Sequence, residues 1–307
     1  ALMDGLPEHA RVYGVERTVC EPAGFEEFRI EESDSTPGGV PVMLPDLAPC
    51  PECLEEMRDP FSRRYHYPFT NCTHCGPRYS IIETMPYDRA GTSMKGFRMC
   101  PECRREYQDV EDRRFHAQPI GCPSCGPSVK VLFSDGSELG FGHGFDTPAA
   151  QVAWVLADGL IVALLGVGGF QLLADASSEA AVRRLRRLKE RDAKPFAVMV
   201  SDVAAAERLC RLSEEEKRLL ASPAAPIVLA RGRKDVDLAP SVCMFSRFVG
   251  IMLPSSPLHA LLMDVWGRPL VVTSGNLSGE PLCISVEEGL EKLGHVADVF
   301  LVHDRPV

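Results

Sequence analysis

Residues 50–77 read CPECLEEMRDPFSRRYHYPFTNCTHCGP, and residues 100–127 read CPECRREYQDVEDRRFHAQPIGCPSCGP. The two segments lie 50 residues apart and are identical at 13 of 28 positions, which indicates a tandem duplication. In each copy two C-x2-C pairs are separated by 18 residues, a spacing typical of a zinc site with four thiolate ligands. The eight predicted ligands are Cys50, Cys53, Cys72, Cys75, Cys100, Cys103, Cys122 and Cys125. We therefore expect two structural zinc sites, each formed within one copy, with exchange of ligand pairs between the copies as the alternative.

Four disulfides and iron–sulfur ligation are the other chemistries that these cysteines allow. The first residues lack a basic start followed by an apolar stretch, so no secretory signal is visible. We therefore expect a reducing, cytoplasmic location, where disulfides are rare. His66, His74 and His116 could each replace a cysteine, but four cysteines per copy already complete a zinc site.

Each copy also carries two adjacent arginines, Arg63-Arg64 and Arg113-Arg114. Four thiolates around Zn²⁺ leave a net negative charge, so these arginines are expected to be counter-charges. They would also suit a nucleic acid, but the chain has 33 basic and 43 acidic residues, a net charge of −10, and phosphate neutralisation drives such binding. We therefore expect a structural role, in which metal replaces a core that a region of ~80 residues does not build.

The whole chain has 307 residues, enough for about two domains of ~150 residues. Its 45% hydrophobic and 25% charged residues are typical of a folded protein. The longest apolar run, residues 160–167, is far shorter than the ~20 residues that span a bilayer, so no membrane partner is expected. Cysteine content and Pro/Gly-rich connections divide the chain into an N-terminal segment with a linker (1–45), a finger region (46–130) and a third domain (140–307).

In the third domain, helical patterns alternate with apolar strands, which predicts an α/β sheet whose strand order the sequence does not reveal. Thr147-Pro148 is expected to begin the first helix, and a basic helix is expected over residues 178–191. Ser213 with Glu216, and Ser285 with Glu288, match the capping box. The predicted strands are residues 160–167, 196–200, 226–230, 270–274 and 299–302.

Three cations follow the basic helix as Lys189-x-Arg191-x-x-Lys194-Pro195, immediately before a strand. Beside a parallel sheet, cations at such a junction can converge on a polyphosphate. Part of this charge, from Arg183 to Arg187, also fits a solvated helix face.

Small polar residues follow another strand as Thr273-Ser274-Gly275-Asn276. Ligands of α/β folds bind at the carboxyl ends of strands, so Ser274 and Asn276 are candidate binding residues, although an ordinary turn is the alternative. Gly168 and Gly169 also follow a strand and weakly indicate close approach of the backbone to a ligand. Cys210, Cys243 and Cys283 are expected to be packing residues.

These motifs together resemble known families. Lys189-x-Arg191-x-x-Lys194-Pro195 followed by Ser274-x-Asn276 is similar to the YrdC family, whose members bind ATP and form acyl-adenylates. Two four-cysteine units directly before such a domain resemble the HypF family, carbamoyltransferases of nickel–iron hydrogenase maturation. Similar strings include LPDLAPCPEC (44–53), RRFHAQP (113–119) and VVTSGNLSGEPL (271–282). The resemblance covers about residues 42–307, and residues 1–30 look like the end of that family's acylphosphatase domain, so we expect a fragment of a longer protein.

The resemblance implies a twisted α/β sheet of the YrdC type and an ATP-dependent reaction. HypF-like proteins hydrolyse carbamoyl phosphate, join the carbamate to ATP as carbamoyl-adenylate, and pass the carbamoyl group to the C-terminal cysteine of HypE for cyanide ligand synthesis. By this resemblance Lys189, Arg191 and Lys194 would hold the phosphates and the carboxylate with Mg²⁺. Ser274 and Asn276 would contact the nucleotide or the carbamoyl group, and Gly168 and Gly169 would allow backbone approach.

Two positions depart from the YrdC pattern. GVGGFQL (166–172) stands where threonylcarbamoyl-adenylate synthases carry a Thr/Tyr-rich threonine-binding motif, which fits a smaller acyl group. Ser255-Ser256 replaces a Tyr-Thr pair, which leaves the contribution of that loop open. The alternatives are therefore a threonylcarbamoyl-adenylate synthase of tRNA modification and a zinc-based adaptor without activity.

Overall fold

The computed structural model describes residues 43–140 and 145–307, together with residues 12, 14–19, 21 and 24. Most of residues 1–30, the segment compared with an acylphosphatase domain, lies outside the described residues. None of the described helices has the length and apolarity needed to cross a membrane.

Each finger contributes one short helix, α1 (Pro51–Arg58) or α2 (Pro101–Gln108). Both helices start directly after the first cysteine of their copy with a proline at the first helical position. Proline suits this position because its missing N–H would have no partner inside the helix. Two 3-10 turns, Tyr79–Ile81 and Arg89–Gly91, lie between the fingers.

The described chain after the fingers contains a nine-stranded mixed sheet, with strand order β1-β9-β2-β3-β8-β4-β7-β6-β5. The strands are β1 (Val129–Phe133), β2 (Val162–Gly166), β3 (Gly169–Asp175), β4 (Ala197–Met199), β5 (Cys210–Arg211), β6 (Val228–Gly232), β7 (Phe248–Met252), β8 (Leu270–Ser274) and β9 (Val299–His303). Among these described strands only β2–β9 and β4–β7 pair in parallel. The sheet is therefore mixed and mostly antiparallel, because tight connections such as the turn between β2 and β3 fold neighbouring strands back on each other. The parallel pairing expected beside the cations is confirmed only between β4 and β7, since β4 pairs antiparallel with β8 on its other side.

Seven further helices cover the two faces of the sheet. They are α3 (Pro148–Ala157), α4 (Glu179–Leu188), α5 (Val203–Leu209), α6 (Glu214–Leu220), α7 (Pro240–Cys243), α8 (Pro257–Trp266) and α9 (Val286–Leu293). Residues of α3 and α8 pack on one face, and residues of α4, α5, α6, α7 and α9 belong to the larger core on the other. Strand β2 is buried on both faces, as its continuous apolar sequence predicts.

Local signals placed the starts of α3, α6 and α9 correctly. The Thr147 side chain caps α3, and Ser213 and Glu216 form a full capping box. The second expected box is only half formed, since Ser285 caps α9 but the Glu288 carboxylate accepts from Ile284 N instead.

The basic helix α4 ends at Leu188 and not at residue 191 as expected. The buried Arg186 guanidinium donates to the carbonyls of Arg191 and Lys194, and Glu190 has a left-handed φ of 53°. These contacts fold the segment after Leu188 back toward the helix, so that Lys189 follows the helix as its cap.

The first finger is in contact with the sheet domain. Met57 and Leu54 of α1 pack with Ala260 and Leu261 of α8. Arg58 donates two hydrogen bonds of 2.7 and 2.8 Å to Asp264. The second finger leads directly into the edge strand β1, which pairs with β9. The fingers therefore lie against the end of the sheet that carries β1, β9 and β2.

Candidate metal centres and candidate nucleotide site

Two groups of four cysteines lie within the described chain, one in each finger. In the first group Sγ–Sγ distances are 3.7 Å for Cys50–Cys72, 3.8 Å for Cys72–Cys75 and 3.5 Å for Cys75–Cys53. In the second group the matching distances are 3.8, 3.7 and 3.6 Å. Ligands therefore come from one copy at each site, as expected, and neither group includes His66, His74 or His116.

These sulfur positions fit tetrahedral zinc. A Zn–S bond of ~2.3 Å gives a tetrahedron edge of about 3.8 Å, close to the observed sulfur separations. The described cysteines are all free of disulfide bonds. Four thiolates complete the coordination of each ion, so neither site would offer an open position for catalysis.

The arginine pairs are counter-charges, but each finger supplies them to the other. Arg63 of the first finger lies 3.4 Å from Cys103 Sγ of the second, and Arg113 of the second lies 3.0 Å from Cys53 Sγ of the first. Arg64 and Arg114 are almost fully buried, and each donates to a carbonyl of the opposite finger. Arg64 donates to Gly121 O, and Arg114 donates to Asn71 O. The two fingers are thus interlocked by reciprocal contacts.

Two glutamates at corresponding positions complete this network. Glu106 contacts both Arg63 and Arg64, and Glu56 contacts Arg64, Arg113 and Arg114. Although burial alone would raise the pKa of Glu106, the hydrogen bonds and charges of the two arginines lower it to about 2. Burial opposes the charge of Glu56 as well, but its arginine contacts also lower its pKa, so both carboxylates remain charged at neutral pH.

In the sheet domain, Lys189 comes together with Ser274 and Asn276. The Lys189 side chain is buried, and its Nζ donates to Ser274 O at 2.5 Å, Asn276 O at 2.6 Å and Asn276 Oδ1 at 3.1 Å. Ser274 Oγ also donates to Asn276 Oδ1 at 2.6 Å. No described carboxylate forms an ion pair with this ammonium, so its charge is held by neutral oxygens alone.

The two other expected cations occupy different surroundings. Arg191 donates to the carbonyls of Lys194 and Pro195 and lies over the Phe196 ring. The Lys194 side chain is exposed and has no hydrogen bond to a described residue. The chain from 189 to 195 is therefore a structured loop with one buried and one exposed lysine.

Part of the sheet face beside this cluster is uncovered. The strand registers place Val272, Ala197, Gly250 and Leu229 in one row across β8, β4, β7 and β6. Val272 is buried below α8, whereas Leu229 at the other end is 70% exposed. Because Ser274 follows Val272 by two residues, it lies on this same face.

Gln171 and His259 extend the cluster in the opposite direction. Gln171 pairs with Ser274 across β3 and β8, and its Oε1 lies 2.8 Å from His259 Nε2. Burial lowers the pKa of His259 to about 4, so the imidazole is neutral at pH 7. Ser255 Oγ lies 3.3 Å from His259 Nδ1, and Ser256 caps α8. Sequence reasoning missed Gln171, although it is the one polar side chain between Phe170 and Ala174.

The glycines near the cluster have different surroundings. A Cβ at Gly169, which has a φ of +130°, would lie 2.6 Å from Leu282, so protein atoms fill that space. A Cβ at Gly168 would meet nothing within 4 Å. Gly275, which received no role from the sequence, is the most crowded, since its Cβ would lie 2.4 Å from Phe170 Cβ. Only glycine lets residues 274–276 approach β3 this closely.

Gly275→Ala is expected to lower the free energy of unfolding of the sheet domain by about 1–3 kcal/mol, the usual cost of overpacking. Gly168→Ala is the matched control, because the added methyl group enters open space. Thermal unfolding of the two variants beside wild type measures both effects. Equal melting temperatures for the two variants would contradict the close approach of Gly275 to Phe170.

Known protein families match both features of this chain, the paired four-cysteine clusters and the sheet that carries the Lys–Ser–Asn cluster. A family model described as HypF finger matches residues 50–82 and 99–132, and the Sua5/YciO/YrdC model, described as Telomere recombination, matches residues 154–307. The chain is 49% identical over its full length to carbamoyltransferase HypF of Rhodobacter capsulatus. The chain therefore combines HypF fingers with a Sua5/YciO/YrdC domain and belongs to the HypF family.

A solved structure supports this assignment, whereas a more distant relative matches less than half of the chain. The crystal structure of full-length HypF in the phosphate- and nucleotide-bound form matches 88% of the chain at 49% identity with a TM-score of 0.83. Threonylcarbamoyl-AMP synthase of Mus musculus is 34% identical, but over only 47% of this chain and 52% of its own length. The chain spans 40% of the Rhodobacter capsulatus protein and 35% of the solved HypF chain.

Proposed function

We propose that this chain binds ATP beside Lys189, Ser274 and Asn276 and joins it to carbamate, forming carbamoyl-adenylate and pyrophosphate. The observation that carries this proposal is the buried Lys189 ammonium, which no described carboxylate neutralises. A buried cation held only by neutral oxygens favours a bound anion. The nucleotide in the solved HypF structure supports the choice of anion.

The observed contacts assign a different role in ATP binding to each of the three cations, Lys189, Arg191 and Lys194. All three donors of the Lys189 ammonium are already directed at Ser274 and Asn276, so Lys189 positions these residues and contributes its charge. The exposed Lys194 is the cation available for direct contact with a phosphate, and Arg191 holds the loop that presents it. Gly168 would offer backbone approach, whereas Leu282 already fills the space beside Gly169.

Adenylation of carbamate needs no strong base, because carbamate is already an anion. It needs positive charge where two anions meet and where pyrophosphate leaves, which positioned cations supply. Mg²⁺ would add charge on the phosphates when bound. The two zinc ions would hold the fingers together without taking part in the reaction.

We further propose that this step belongs to the carbamoyl transfer of nickel–iron hydrogenase maturation. In that reaction carbamoyl phosphate would supply the carbamate, and the thiol of the HypE C-terminal cysteine would accept the carbamoyl group. The match to HypF of Rhodobacter capsulatus extends over all of this chain at 49% identity, whereas the match to threonylcarbamoyl-AMP synthase leaves out more than half of the chain. This difference favours the hydrogenase role. Pyrophosphate exchange into ATP, dependent on carbamate or on threonine, tests the proposal.

ATP binding is expected to weaken as the pH rises from 7 to 9.5. Burial, followed by the nearby Arg191 charge, lowers the pKa of Lys189 from its usual 10.5 to about 8, so the ammonium loses its charge in this range. Lys189→Arg, whose guanidinium does not titrate there, is expected to remove the pH dependence. A dissociation constant for ATP that stays constant in wild type would contradict a role for the Lys189 charge.

The pH dependence of the free energy of unfolding distinguishes weaker ATP binding from loss of the fold. Between pH 8 and 10.5 the folded state has a neutral Lys189 and the unfolded state a protonated one. The unfolded state therefore binds more protons, and the contribution of Lys189 to the free energy of unfolding increases with pH. Deprotonation of Lys189 above pH 8 would thus weaken ATP binding without destabilising the folded protein.

A further inference from the structure

A chain of hydrogen bonds connects the loop before α8 to the glutamine beside Ser274. Ser255 Oγ lies 3.3 Å from His259 Nδ1, and His259 Nε2 lies 2.8 Å from Gln171 Oε1. Burial lowers the pKa of His259 to about 4, so its ring is neutral at pH 7 and carries a single N–H. Because the amide oxygen of Gln171 accepts this N–H, the hydrogen lies on Nε2, and Nδ1 accepts from the Ser255 hydroxyl.

This relay fixes which end of the Gln171 amide is left for a ligand. The amide oxygen is occupied by His259, whereas the amide nitrogen is not buried and has no hydrogen bond to a described residue. Within the described part of the chain, both amide N–H groups are thus available. Without the imidazole N–H, the amide could turn over and present its oxygen instead.

Gln171 lies where the covered and uncovered parts of this sheet face meet. It is half-buried and pairs with Ser274 across β3 and β8, where opposed residues have Cβ atoms ~5 Å apart. The Lys189 ammonium contacts the same Ser274. Helix α8 packs with residues of β3, whereas beyond Ser274 the face opens toward the exposed Leu229. A ligand over the open part of the face would therefore end beside the Gln171 amide.

We propose that Gln171 binds the carbamate in the adenylation reaction, and that His259 and Ser255 are positioning residues that act through it. This inference rests on the proposed adenylation and names the residue that holds its acid. One carbamate oxygen bonds to the α-phosphorus of ATP as the bond to pyrophosphate breaks, and the other becomes the carbonyl oxygen of carbamoyl-adenylate. An amide N–H on this second oxygen holds the carbamate in place for attack. A neutral donor suits this position, because it leaves the negative charge with the attacking oxygen.

The KM values for carbamate and ATP in pyrophosphate exchange test the role of Gln171. Gln171→Met keeps the length of the side chain and removes the amide. It should raise the KM for carbamate about tenfold, as expected for one lost uncharged hydrogen bond, and keep the KM for ATP within about twofold of wild type. Gln108→Met, which changes an exposed glutamine of α2, should leave both values unchanged. An unchanged KM for carbamate in Gln171→Met, or an equal rise of both values, would overturn the inference.

A double-mutant cycle and NMR test the relay. Ser255→Ala should raise the KM for carbamate about threefold in wild type and leave it unchanged in Gln171→Met, because Ser255 acts through Gln171. Additive effects would overturn the positioning role. Nitrogen-15 NMR of the His259 ring, which requires no activity, should show the hydrogen on Nε2, and a hydrogen on Nδ1 would overturn the relay.

The exchange assay also separates this inference from the proposed function. Exchange by wild type together with an unchanged KM for carbamate in Gln171→Met would overturn the role of Gln171 alone. Absence of exchange in wild type would overturn the proposed adenylation and, with it, the role of Gln171.

Discussion

Lys189→Ala is expected to lower carbamoyl-adenylate formation by about 10²–10³-fold, the usual effect of losing one positioned donor near developing charge. The substitution removes the only side chain that holds both Ser274 O and Asn276 O among the described contacts. It also removes the unpaired positive charge from the proposed phosphate site. The measurement is the rate of pyrophosphate exchange at saturating ATP and carbamate.

Two lysine variants serve as controls for this result. Lys130→Ala changes an exposed lysine of β1 that pairs with Glu138, far from the site in the strand order, and should leave the exchange rate unchanged. Lys194→Ala should mainly weaken ATP binding, because that side chain is exposed and fixes no other residue. Wild-type exchange by Lys189→Ala would show that the buried lysine is a packing residue and that the nucleotide binds elsewhere.

Cys72→Ser is expected to disrupt both fingers and not only its own. Sequence spacing suggests two independent modules, so that one zinc ion would remain. The structure predicts coupled loss, because Arg63 and Arg113 each reach a thiolate of the opposite finger. Structural zinc contributes an apparent ~10–16 kcal/mol of binding free energy in small fingers, so losing one site removes most of the order around it.

Metal analysis and limited proteolysis measure this coupling together. Wild type should contain two zinc ions per chain and resist cleavage in both fingers. Cys72→Ser and Cys122→Ser should each retain well below one zinc ion and be cut in both fingers, whereas Cys243→Ser should retain two. A Cys72→Ser protein with one full zinc ion and an intact second finger would contradict the coupling, and wild type without metal would contradict both sites.

Metal ligands could be predicted because their signal is local. Cys50 to Cys75 lie within one 26-residue segment, and the same spacing occurs again 50 residues later. The exchange of arginines between the fingers could not be predicted, since it depends on the relative orientation of two copies. Each copy alone would place Arg63 near its own cysteines just as well.

The Lys–Ser–Asn cluster, in contrast, could not be predicted from local sequence signals. Lys189 and Ser274 lie 85 residues apart, and no spacing rule connects them. Only the family resemblance placed them in one site, and the strand order explains how they meet, since β8 lies between β3 and β4. Arg186 illustrates the limit of charge patterns, because a residue of a basic helix that fits a solvated face is instead buried and folds the following loop.

Sequence patterns missed four strands, namely β1 and β5 at the edges of the sheet and β3 and β7 inside it. Strand β3 begins at Gly169 after a turn of two residues, which hides the boundary between two apolar runs. Strand β7 is short and starts with the exposed Phe248, so it lacks the polar–apolar alternation of a half-buried strand. Without these two strands, an antiparallel majority in the sheet could not be foreseen.

Radiolabelled pyrophosphate exchange into ATP tests the central claim most directly. The zinc-loaded chain is assayed with carbamate supplied as bicarbonate plus ammonia, with threonine plus bicarbonate, or with neither. We expect exchange with carbamate and none with threonine, because GVGGFQL at residues 166–172 lacks the hydroxyl and phenol groups that would pair with an amino acid. Exchange with threonine above that with carbamate, or no exchange with any acid, would contradict the proposal that this chain forms carbamoyl-adenylate.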